Sequence, residues 1–164
     1  MNTAMLFPEM EVQEKPRNRF ERLQVVRIAL VKERPLLYEG QRLTAPHQIQ
    51  AAFQELLGDV DREYFLAFML DGKNRISSCN VVSIGSLNQA IVHPREVFKA
   101  AILSNAAAII IAHNHPSGDT TPSREDREIT RRLKEVGDMI GIRVLDHIIV
   151  GDNSYLSFTE MGLL

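Results

Sequence analysis

The spacing of apolar and polar positions divides this chain into short and long blocks, and most blocks predict an element. Val25–Val31 (VVRIALV) is a nearly unbroken apolar run that predicts a first strand, with Pro35 and Gly40 punctuating the loop behind it. Thr44, followed by Pro46 and Gln48, predicts a helix start. Ile49, Ala52, Phe53, Leu56 and Leu57 then recur at helical spacing until Gly58 ends the run. Glu63–Leu70 (EYFLAFML) is too apolar and too short for anything but a strand inside a sheet. Asp71–Asn74 reads as a turn and Arg75–Ser83 as a returning strand, so the two predict a hairpin.

The second half repeats the alternation. Pro94 opens a helix over Arg95–Ser104, with Val97, Ala100 and Ala101 facing inward, and Ala106–Ala112 is the next strand. Ile129, Leu133, Val136 and Ile140 form one stripe of a long helix, with Arg131, Arg132, Lys134 and Glu135 on its wet side and Gly141 as its stop. Arg143–Val150 is a further strand, Gly151–Asn153 a turn, and Tyr155–Phe158 a last short strand. The order is strand, helix, hairpin, helix, strand, helix, hairpin. It predicts an α/β fold: one mixed β-sheet flanked by helices.

Composition narrows the picture without redirecting it. At 164 residues, 45% hydrophobic and 24% charged, the chain has the size and make-up of one globular domain. Its net charge of -2 gives no overall attraction to nucleic acid. The basic stretch Lys15–Arg34 carries seven Lys/Arg against two Glu, and Arg17, Arg19 and Arg22 within it could follow phosphates; a solvated basic strand face is the preferred reading. Cys79 is the only cysteine, which excludes an internal disulfide and any CxxC zinc or redox pair. No apolar run approaches the length that crosses a bilayer, and no leader opens the chain, so a cytoplasmic protein without membrane partners is expected.

Chemistry concentrates in Ala112–Asp126 (AHNHPSGDTTPSRED). His113 and His115 stand two apart at a strand end, so both imidazoles point to one side while Asn114 points to the other, toward a neighbour. Asp126, eleven residues after His115, lies in a first helical turn, where a side chain projects back toward the helix start. Two neutral nitrogens and one carboxylate with a coordination place left over form the ligand pattern of a catalytic zinc site. A hydrolase of this type also needs a general base that does not ligate the metal. Ser123 can hold a developing oxyanion, or cap the helix with Asp126 as its box partner; the second use competes with Asp126 as a ligand.

These residues carry a family resemblance. His113-Asn114-His115-Pro116, six residues, Ser123, two residues and Asp126 resemble the JAMM signature of the JAB1/MPN metalloprotease superfamily. Pro116-Ser117-Gly118 and Thr121-Pro122-Ser123, with Val92–Phe98 upstream and Leu145–Gly151 downstream, resemble its RadC branch. The resemblance spans residues 42–164 and implies an MPN domain of cytidine-deaminase-like architecture. Residues 1–41 are left as an N-terminal arm and first strand. Full-length RadC proteins carry a helix-hairpin-helix there; nothing in Met1–Leu43 looks like one, so the chain resembles a short, mobile-element type.

The resemblance further implies one zinc per chain on His113, His115 and Asp126, and hydrolysis of a peptide or isopeptide bond in a peptide or protein substrate. It places the catalytic Glu at Glu63, with Ser123 beside the metal. Glu96 competes for the role of base, and His93 and His147 read as buried or supporting histidines rather than ligands. Two other classes remain: a RadC-like factor acting on DNA, by binding or as a nuclease, and a non-catalytic interaction module. A deaminase is excluded by the missing cysteine pair. An oligomer paired through Val25–Val31 is also open.

Overall fold

The computed structural model describes residues 27, 29–33, 43, 45–58, 60–85 and 92–164. Its elements in chain order are α1 (His47–Leu57), β1 (Tyr64–Leu70), β2 (Ile76–Ile84), α2 (Pro94–Leu103), β3 (Ala108–Asn114), α3 (Arg124–Ile140), β4 (Arg143–Val150) and β5 (Tyr155–Ser157). The strands form one sheet in the order β2-β1-β3-β4-β5. β1 runs antiparallel to β2 and to β3, β3 and β4 are parallel, and β5 returns antiparallel to β4. The sheet is therefore mixed, and the one parallel pair is joined by a helical crossover through α3, as such a connection requires.

The most apolar blocks take the middle of the sheet. β1 and β3 are buried along nearly their whole lengths because helices cover both faces. On one face α1 packs through Ile49 and Phe53 against Leu66, Phe68, Ile110 and Ile148. On the other, α2 and α3 bring Val97, Phe98 and Leu133 onto Met69, Ile109 and Ile111. The period-two alternation of β3 thus sends Ile110 and Ala112 to α1, and Ile109, Ile111 and then His113 toward α3. Gly137 allows α3 to lie this close to β4, since a Cβ there would stand 2.5 Å from the Ile142 carbonyl oxygen.

The expected elements from the first helix onward form, with shifts of up to two or three residues at their ends. α1 begins at His47, not at Thr44, which lies outside the described residues; Pro46 is the N-cap, and the Gln48 side chain accepts from the Ala45 N–H at 3.1 Å. Gly141 closes α3 in the left-handed conformation, φ 76°, as its position after the last apolar residue implied. The expected first strand is not seen. Arg27 and residues 29–31 of Val25–Val31 are exposed, belong to no strand and pair with none of the described strands, and the rest of that stretch lies outside the described residues. Val31 is 80% exposed. Strand preference depends on a partner ladder and a face to bury, and the described part of this run has neither.

Candidate metal centre

The site forms where the carboxyl end of β3 meets the amino end of α3. His113 is the last apolar-facing position of β3, fully buried, with its ring stacked on Phe65 at a centroid distance of 5.9 Å. His115 follows on the loop, partly exposed, and its backbone N–H donates to the Val150 carbonyl at 3.3 Å. The two Nε2 atoms lie 2.9 Å apart. Asp126 is the third residue of α3; its Oδ1 is 3.1 Å from His113 Nε2, and its Oδ2 is 3.5 Å from His115 Nε2. Ligand atoms of these three residues all fall within 4.8 Å of one another, and theirs is the one such His/Cys/Asp/Glu group found among the described residues.

Hydrogen bonds behind the ligand atoms aim them. His115 Nδ1 meets the Asp119 carbonyl oxygen at 2.5 Å. A carbonyl only accepts, so the proton sits on Nδ1 and Nε2 of the neutral ring carries the lone pair. The Pro116–Thr120 loop that supplies this carbonyl packs on Gly151, where a Cβ would stand 2.6 Å from the Gly118 carbonyl oxygen. Behind His113, Nδ1 lies 2.8 Å from Nε2 of His147. His147 is fully buried, and Phe158 stacks on it at 4.6 Å.

Ser123 caps α3 and forms the box. Its Oγ accepts from the Asp126 N–H at 3.0 Å, while its N–H and hydroxyl donate to Asp126 Oδ2 at 2.7 and 2.6 Å. The carboxylate divides its oxygens: Oδ1 lies beside His113, while Oδ2 holds the cap and also lies 3.5 Å from His115 Nε2. The single hydroxyl proton of Ser123 is engaged by Asp126 in this arrangement.

The electrostatics favour positive charge at the point of convergence. Burial alone would push the Asp126 carboxyl up, but hydrogen bonds and charge from His113 and His115, with Ser123, hold it far below the ordinary carboxylate range. His115 is pushed up, chiefly by its contact with Asp126 and further by the Asp119 carbonyl and the charges of Asp126 and Glu63, against the opposing effect of burial. Burial, and then the neighbouring histidine charges, drive His147 well below its usual value, so it is neutral. A donor set of two imidazole nitrogens and one carboxylate fits a divalent cation with nitrogen preference.

Glu63 stands just before β1. Phe65 is the first β1 residue paired with β3, opposite His113, and two residues before it Glu63 lies close enough for its charge to help raise His115. Asn114, pointing away from the ligands, fixes that position: its Oδ1 accepts from the Tyr64 N–H at 2.8 Å and its Nδ2 donates to the Arg62 carbonyl at 3.0 Å. The Glu63 carbonyl in turn accepts from the Gly85 N–H at 2.8 Å.

The other candidates separate. Glu96 is bound up with Lys99 at 2.6 Å and Arg95 at 3.5 Å on the first turn of α2. His93, expected to be buried or supporting, is exposed at the N-cap of α2, because the Pro94 ring after it takes the buried position. Cys79 behaves as a packed thiol, with burial pushing it up to about 12. Arg17, Arg19 and Arg22 lie outside the described residues. Asn114 faces a neighbour as expected, and Thr130 is the residue that sequence reasoning missed in its supporting role. Thr130 was detectable: it stands one helical turn after Asp126, in a buried stripe continued by Leu133 and Gly137.

Comparison with known proteins agrees with this geometry. The family model described as RadC-like JAB domain matches residues 43–163. UPF0758 proteins of Geotalea uraniireducens and Pelobacter propionicus are 58% identical over 124 residues and 62% identical over 133, covering 76% and 77% of this chain. The matched regions are 54% and 58% of those relatives, so the chain spans little more than half their length. A UPF0758 protein of Geobacter sulfurreducens is 57% identical over 129 residues, 79% of this chain and 56% of the relative. The mixed five-stranded sheet with three helices is consistent with the JAB/MPN domain, and the His113–His115–Asp126 group could hold a metal. With most of its length matched by one family model, the chain belongs to the RadC-like JAB domain family.

Proposed function

We propose that the chain is a zinc-dependent hydrolase of the JAMM type that cleaves peptide or isopeptide bonds. One observation carries the reading: His113 Nε2, His115 Nε2 and Asp126 Oδ1 converge at the end of β3, near enough to Glu63 for its charge to act on His115. Zinc held by three such ligands keeps a place for water and brings its pKa near neutrality. Glu63, just before β1, would serve as general base toward water and general acid toward the leaving amine. Ser123 holds the ligand carboxylate through Oδ2 and can turn its hydroxyl to a substrate carbonyl only by releasing Asp126. The peptide class of substrate is supported by family membership, and no helix among the described residues is long and apolar enough to cross a membrane.

Glu63→Gln separates ligation from proton transfer. Zinc-loaded wild-type protein is expected to hydrolyse a degenerate peptide pool or an isopeptide-linked conjugate panel. The variant should bind zinc as the wild type does and hydrolyse roughly 10²–10⁴-fold more slowly. Equal rates in the two proteins would remove Glu63 from the reaction, and absence of cleavage by the loaded wild type across both panels would count against peptidase chemistry.

A further inference from the structure

His147 touches no ligand position, yet both its ring nitrogens are engaged. Nε2 lies 2.8 Å from His113 Nδ1, and Nδ1 lies 2.5 Å from Thr130 Oγ1. Thr130 Oγ1 also lies 2.5 Å from the Asp126 main-chain oxygen, and Thr130 and His147 are both buried. His113, His147 and Thr130 therefore form a row in which each neutral member has one proton to give. Such a row has two directions.

In the first, Thr130 donates to His147 Nδ1 and His147 Nε2–H donates to His113 Nδ1. The His113 proton then sits on Nε2, aimed at Asp126 Oδ1 and His115 Nε2. That arrangement is sound only while nothing else occupies the site. In the second, His113 Nδ1–H donates to His147 Nε2, His147 Nδ1–H donates to Thr130 Oγ1, and the Thr130 hydroxyl donates to the Asp126 carbonyl. A carbonyl can only accept, so it closes the row. Only this direction frees the Nε2 lone pair of His113. A charged His147 is no alternative, because a fully buried cation between two neutral partners is uncompensated.

We propose that Thr130 and His147 are positioning residues that hold His113 in the one tautomer able to ligate, the relay ending on the main-chain oxygen of the ligand Asp126 itself. This rests on the metal reading above and adds a requirement to it. The threonine is needed because its hydroxyl accepts and donates at once. Valine has the same shape and does neither. It would leave the His147 N–H buried without an acceptor whenever His113 ligates, while the arrangement without metal loses less.

The test is zinc titration against a chromophoric chelator for wild type, Thr130→Val and Thr130→Ser, with ¹⁵N imidazole spectra of the zinc-loaded proteins. Thr130→Val is expected to weaken zinc binding by about 10–100-fold, and Thr130→Ser to restore it to within a few-fold. Zinc-loaded wild type should carry its His113 and His147 protons on Nδ1 of both rings. Equal zinc affinity in Thr130→Val, or His147 protonated on Nε2 in the loaded wild type, would overturn the relay and leave the metal reading standing. A folded wild type that takes up no zinc would overturn both. Melting temperatures check that Thr130→Val folds; should it not, the imidazole spectrum of the wild type decides alone.

Discussion

Asp146 and His147 are neighbours on β4, both buried, and they face opposite sides of the sheet with opposite consequences. Asp146 lies in the wall of a cavity of about 260 Å³ on the α1 face, with Pro46, Ile110 and Ile148 around it. Both of its carboxylate oxygens accept hydrogen bonds. Oδ1 takes the N–H groups of His147 and Thr159 at 2.8 and 3.0 Å, and Oδ2 takes the Ser157 hydroxyl at 2.6 Å. On the α3 face, His147 passes its hydrogen bonding on to His113, and that network ends in nitrogen and oxygen atoms aimed at one point. A closed polar cluster pins the end of β5 and the segment after it to β4. An open one, with donor atoms left facing each other, marks a site for something else.

Breaking the open network should cost metal and spare the fold; breaking the closed one should do the reverse. His113→Ala gives the largest expected effect, a loss of roughly 1,000-fold or more in zinc affinity, a part of a binding free energy on the order of 10 kcal/mol. Competition titration measures it, and circular dichroism should find the metal-free variant folded. Asp146→Ala comes next. It leaves the buried His147 N–H and Ser157 hydroxyl, and the part-buried Thr159 N–H, without their acceptor and should lower unfolding free energy by about 3 kcal/mol in urea titration. Zinc affinity of its folded fraction should stay within about threefold of wild type, since Asp146 sits behind the sheet from the ligands. A parallel fall in both quantities would erase the distinction between the two clusters.

Ser123→Ala is the smallest of these. Loss of the cap should cost about 1 kcal/mol of stability. Zinc affinity should drop only a few-fold, because the main-chain N–H of residue 123 still reaches Asp126 Oδ2. A drop in zinc affinity as large as that of His113→Ala would mean that the cap, and not the helix geometry, sets the position of the carboxylate.

Much of this was legible before any coordinates, and the reasons are local. β4 forms over Arg143–Val150 as the apolar run implied, and the His-x-His spacing puts two imidazoles on one side because strand side chains alternate. Ser123 three residues before Asp126 is a capping pattern, so the position of the carboxylate was also local. What could not be read depends on register and on contacts across the fold. Glu63 was placed by resemblance alone; the grip of Asn114 on the main chain of both its neighbours is a contact across the fold that no local pattern shows. Thr130 was passed over for the more apolar Ile129 beside it, because a hydroxyl on a buried helix face has meaning only when its partner, here His147 seventeen residues on, is known. At Val25–Val31 an apolar run was not enough evidence for the residues described, Arg27 and 29–31, which pair with no described strand.

The most direct measurement is zinc-edge X-ray absorption on metal-free protein reloaded with one equivalent of zinc. The expected spectrum has nitrogen and oxygen donors alone at about 2.0–2.1 Å, with the multiple-scattering signature of two imidazoles, and both are lost in His113→Ala. A folded wild-type chain that retains no zinc, or a spectrum with a sulfur donor near about 2.3 Å, would contradict a centre built from His113, His115 and Asp126.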